Sequence, residues 1–162
     1  MGENAVSQGG CSCGLIRYAI KDEPLLVQVC HCARCQKMAG TAFVMTAIIE
    51  EEKFMCLAGE PEFRQVIKGT SGETYDSSGC ASCGSIIFIK NSGIAQELIY
   101  FPAGTLDDSN HFTPRAHIFT ESKLDWVVIP EDVPQFKKGY ENLQELLSQN
   151  SLERFNALYN SH

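Results

Sequence analysis

Seven of the chain's eight cysteines fall into three tight clusters: Cys11-Ser-Cys13, Cys30-His-Cys32-Ala-Arg-Cys35 and Cys80-Ala-Ser-Cys83. Thiolates in close pairs on turns, gathered from distant parts of a chain, are what tetrahedral zinc requires. Seven ligands do not divide into closed four-thiolate sites. One site closes and the other is a ligand short. A metal with an open position is where chemistry is done.

Two of the clusters resemble each other. Gly10-Cys-Ser-Cys-Gly14 and Gly79-Cys-Ala-Ser-Cys-Gly84 are both bracketed by glycine. A glycine after the second cysteine permits the positive φ that turns backbone N–H groups toward sulfur. Cys11, Cys13, Cys80 and Cys83 are therefore expected to close one site, with zinc holding the fold together.

The middle cluster is built differently. No glycine brackets Cys30, Cys32 and Cys35, and His31, Arg34 and Lys37 lie alongside. Three thiolates on zinc leave a single negative charge and one open position, which a water or an outside thiolate can take. Zinc lowers the pKa of a bound thiol, and the resulting thiolate is a nucleophile toward electrophilic carbon. Arg34 and Lys37 could attract an anionic thiol, such as a carboxylate-bearing peptide, although charged side chains are ordinarily solvated surface.

The same cluster could instead be closed by Cys56, His31, His111 or His117. His31 is flanked by two ligands, so its side chain should point elsewhere. Cys56, within Lys53-Phe-Met-Cys-Leu57, reads as a small buried apolar residue. Spacing alone leaves the open and the closed site both standing.

The bulk properties narrow the setting. A chain of 162 residues, 44% hydrophobic and 20% charged, is expected to form one soluble domain with a core of its own. A formal net charge of −7 argues against nucleic-acid binding. The longest apolar stretch, Ala42 to Ile49, is too short to span a bilayer. Met1-Gly-Glu-Asn-Ala-Val6 lacks the regions of a signal peptide and misses the myristoylation pattern, so a cytoplasmic location is expected. In a reducing compartment bunched cysteines favour metal over disulfides, and a redox C-x-x-C would need a βαβ context that is missing.

Short stretches rich in β-branched and aromatic residues must position these clusters. They run from Leu15 to Ile20, Leu25 to Val29, Ala42 to Ile49, Phe54 to Leu57, Phe63 to Lys68, Ser85 to Lys90, Leu98 to Phe101 and Ala116 to Phe119. Gly, Pro, Asn, Asp and Ser punctuate the gaps. The pattern predicts a mainly antiparallel β domain. From Tyr140 the chain carries helix formers, and Asn150 with Glu153 reads as a capping box. Two short helices are expected near 140–149 and 151–160. Their apolar stripes would pack on the domain or on a partner subunit, which allows a homodimer.

The ordered motifs resemble the glutathione-dependent formaldehyde-activating enzyme (GFA) family, also called centromere protein V-like. They are Gly10-Cys-Ser-Cys-Gly14, Val29-Cys-His-Cys-Ala-Arg-Cys-Gln-Lys37, Gly40-Thr-Ala-Phe43, Cys80-Ala-Ser-Cys-Gly84 and Ala103-Gly-Thr-Leu-Asp107. Pro114-Arg-Ala-His-Ile118, Lys123, Trp126 and Pro134-Gln-Phe136 follow. The resemblance spans a GFA-type zinc-binding domain at 10–139, leaving a tail at 1–9 and a helical appendage at 140–162. It implies an Mss4-like β fold built around zinc knuckles, with two zinc ions. The structural ion would sit on Cys11, Cys13, Cys80 and Cys83, and the catalytic one on Cys30, Cys32 and Cys35. The activity implied is a carbon–sulfur lyase acting on adducts between a small-molecule thiol such as glutathione and formaldehyde or a related aldehyde. The alternative within the same fold is a non-catalytic zinc scaffold or interaction module.

Overall fold

Short runs of strand-forming residues, broken by turn formers, give ten short strands among the described residues. A computed structural model describes residues 6–69, 72–92 and 96–160 of the chain, so His162 lies outside the described residues. In order the strands are β1 (Ser7–Gly10), β2 (Arg17–Ile20), β3 (Leu26–Cys30), β4 (Val44–Glu50) and β5 (Phe54–Ala58). Then come β6 (Glu62–Lys68), β7 (Thr74–Gly79), β8 (Ile86–Asn91), β9 (Leu98–Pro102) and β10 (Ala116–Ile118). Two helices, α1 (Ala33–Ala39) and α2 (Gln149–Asn160), complete the set. The protein is mainly β.

The chain divides into two compact units, each assembled from separated segments: Met1–Pro24 with Ile48–His111, and Leu25–Ala47 with Phe112–His162. The C-terminal segment falls in the second of these units, which also carries the cysteine triplet.

In the first unit β1, β2 and β5 form a three-stranded antiparallel sheet, and β9, β8, β7 and β6 follow one another antiparallel. Tyr18 anchors this unit. Its buried ring stacks on Phe54 at 4.6 Å and meets Phe101 edge-on at 5.8 Å. Its hydroxyl reaches Thr105 Oγ1 at 2.7 Å, which satisfies the one polar atom the ring carries inward.

The second unit holds β10, β3 and the first part of β4, Val44 to Ala47, adjacent in that order. Here β10 runs parallel to β3, with His117 opposite Val29 and Ile118 opposite Cys30, a parallel pair within the mainly β fold. All five residues of β3 are buried, as befits a strand covered on both faces. The tail differs from the two helices expected. Leu143–Leu146 is a single 3₁₀ turn capped by Asn142, and only Gln149–Asn160 is α-helical. Ser148, rather than Asn150, caps α2: its hydroxyl accepts from Ser151 N at 3.1 Å.

Candidate metal centres

Both glycine-bracketed turns fold as expected. Gly14 sits at φ 79° and Gly84 at φ 80°, where a side chain is strained. Gly14 N donates to Cys11 O at 3.1 Å, and Gly84 N donates to Cys80 O at 2.9 Å. Ile16 N points at Cys11 Sγ from 3.2 Å, the N–H···S contact that favours a thiolate.

The two turns bring Cys11, Cys13, Cys80 and Cys83 together, with all four sulfurs within 4.8 Å of one another. Cys11 and Cys13 are 3.5 Å apart at sulfur, and Cys13 and Cys80 are 3.7 Å apart. The edge of a tetrahedron with zinc–sulfur bonds of about 2.3 Å is ~3.8 Å, so the donor set fits the ion. Cys83 is helped further. The hydroxyls of Ser12 and Ser85 draw its thiol down to about 4. These serines were not singled out from sequence, although Ser12 lies between two cysteines and Ser85 two positions after a third.

The triplet is made by one strand end and one helix start. Cys30 closes β3, and Cys32 is the N-cap of α1: its sulfur accepts from Cys35 N at 3.3 Å. Cys35 is thereby carried one turn on, back toward its partners. The three sulfurs lie within 4.8 Å of one another. With so many thiols packed together they share charge unequally. Hydrogen bonds from Cys30 and then Cys35 pull the Cys32 thiol down to about 2. Bonding to the Cys32 sulfur pushes Cys30 up to about 11, and Cys35 is pushed up as well, by Cys30 and then Cys32. A bound cation is what would let all three ionise. All eight cysteines are free thiols.

Among the described residues no fourth ligand joins the triplet. His31 is fully buried and turned to His117, with Nε2 and Nδ1 2.9 Å apart, so its side chain does point elsewhere. Cys56 corrects an expectation: it is exposed, on β5 at the edge of its sheet. Arg34 and Lys37 are exposed on α1, one turn apart. Burial and then the neighbouring His117 hold the His31 imidazole down at about 4, so the ring is neutral near pH 7.

The profile of the family described as "Glutathione-dependent formaldehyde-activating enzyme" (GFA) matches residues 6–122. The chain belongs to the GFA family. A Halomonas elongata protein, provisionally named a glutathione-dependent formaldehyde-activating enzyme, is 26% identical over 129 residues, covering 75% of this chain and 80% of its own. A crystal structure of a Rhodobacter sphaeroides protein, a structural-genomics target, aligns with a TM-score of 0.49 and 18% identity. That alignment covers 79% of this chain and 98% of the other. All three cysteine clusters lie inside the span matched by the GFA profile.

Proposed function

We propose that the protein is a zinc-dependent carbon–sulfur lyase-like enzyme of the GFA family, acting on glutathione-type thiol adducts of formaldehyde or a related small aldehyde. The observation that carries this reading is the unequal pair of cysteine sites, one with four sulfurs and one with three. In it, Cys11, Cys13, Cys80 and Cys83 hold a structural zinc, and Cys30, Cys32 and Cys35 hold a second one. A zinc ion held there would supply Lewis acidity, lowering the pKa of a substrate thiol toward neutral pH.

The chain's own residues do the remaining work. Cys32 and Cys35, both partly exposed, leave the triplet approachable, whereas buried Cys30 backs it. Arg34 and Lys37 present two exposed cations that attract the carboxylates of a peptide thiol. The substrate's sulfur lone pair forms a bond to the carbonyl carbon, the C=O π bond breaks toward oxygen, and that oxygen takes the proton the thiol gave up. The product is the S-hydroxymethyl adduct, and the reverse path returns thiol and aldehyde.

The family match and the provisionally named relative support a glutathione-related role. The test is formaldehyde consumption with glutathione at concentrations low enough to slow the spontaneous reaction. Cys32→Ser should fall to the uncatalysed rate. A Cys32→Ser protein as fast as the parent would sink the proposal.

A further inference from the structure

The residue between two of the triplet's thiols is tied to the rest of its unit by four hydrogen bonds. His31 N donates to Ile118 O at 3.0 Å. Its carbonyl accepts from Gln36 Nε2 at 2.8 Å and from Ser122 Oγ at 3.1 Å. Its ring Nε2 lies 2.9 Å from His117 Nδ1. Three of these four partners come from β10 and the short turn just after it.

This arrangement is costly in two places. His31 Nδ1 is buried without a hydrogen-bond partner among the described residues, where an apolar side chain of similar shape would leave nothing unsatisfied. Ser122 ends the 3₁₀ turn Thr120–Ser122, which is entered from Phe119 at φ 56°, a left-handed conformation that a bulky residue seldom adopts. A buried orphan nitrogen and a strained aromatic residue converge on one peptide, Cys30-His31-Cys32. Stability alone does not favour either feature.

We propose that His117 and Ser122 are positioning residues for the triplet. They lock His31, and through it the flanking thiols, so that the three sulfurs are gathered before a metal arrives. The ion then binds a site already ordered, instead of ordering a loop at its own expense. Gln36 ties the same carbonyl to α1 and also donates to Ser122 O at 2.9 Å, which joins helix, loop and turn into one frame. The proposal rests on the reading that the triplet holds zinc.

The experiment is zinc competition with a chromophoric chelator on the full chain, with metal counted per site and thermal unfolding followed in parallel. Ser122→Ala and His117→Leu should weaken the triplet's zinc by about 10–100-fold while the four-cysteine site keeps its ion. Ser122→Thr and His117→Asn, which keep a polar atom in place, should stay close to the parent. Parent-like affinity in both Ser122→Ala and His117→Leu overturns the brace but leaves the zinc reading intact. A parent that binds only one zinc removes both together. Should both disruptive variants unfold, hydrogen exchange in the parent decides. The His31 amide stays protected when chelator withdraws the triplet's metal, or the proposal fails.

Discussion

Cys13 and Cys80 are 67 positions apart in the chain, yet their sulfurs approach to 3.7 Å. Nothing but the folding of two separate turns onto each other produces that contact. A metal shared between those turns would therefore act as a cross-link within the first unit. Cys80→Ser should lose that ion and destabilise the protein by on the order of several kcal/mol, since structural zinc binding is coupled to folding. Metal analysis with a thermal melt checks this, and an unchanged melting temperature would contradict it.

Gly79 and Gly84 flank the same turn but are needed for different reasons. A Cβ on Gly84 would meet nothing within 4 Å, so its φ of 80° is the whole cost of Gly84→Ala, about 1–2 kcal/mol. A Cβ on Gly79 would lie 2.4 Å from Ser85 O, a backbone atom, and so must push the turn off its strand. Chemical denaturation should find Gly79→Ala the more damaging of the two, with loss of metal as well. The reverse order would mean that the turn is not held as described.

Legibility followed how local each cause is. Gly14 and Gly84 were readable because a positive φ is a property of one residue and its neighbours. Strands β5, β8 and β9 were readable from their own apolar content. β7, Thr-Tyr-Asp-Ser-Ser-Gly, was not, because its residues are small and polar and its partners β6 and β8 supply the order. β1, Ser-Gln-Gly-Gly, was hidden for the same reason and is ordered by pairing with β2 and a bridge from Gly9 to Leu106. α1 buries no residue and shows no apolar stripe; the cysteine that caps it was legible only as a ligand. The parallel pairing of β10 with β3 joins segments distant in the chain, and with it comes the His31–His117 contact between residues 86 positions apart. No local pattern announces such a pairing. Cys56 was misjudged because a strand reading does not say which strand ends a sheet.

Tyr18 should make the fold sensitive to alkali. Burial pushes its hydroxyl up to about 12, above the value near 10 of an exposed tyrosine. The folded state therefore holds the proton more tightly than the unfolded one. The contribution is complete below about pH 10 and is lost as pH rises toward 12, a difference of roughly 2–3 kcal/mol. Tyr18→Phe should flatten that alkaline loss, at a cost near neutrality of about 1 kcal/mol for the hydrogen bond to Thr105. Denaturant melts at a series of pH values measure both. An equally steep alkaline loss in Tyr18→Phe would assign the effect to other groups.

The central claim is that Cys30, Cys32 and Cys35 hold a metal that an outside thiol can reach. Cobalt substituted for zinc reports this directly, because its d–d absorption changes when a ligand is exchanged. Titrating the cobalt-loaded protein with glutathione should give a saturable spectral change that is absent in Cys32→Ser. A cobalt spectrum indifferent to glutathione would mean that the triplet's metal is closed to thiols, and the protein would then be a zinc-stabilised scaffold.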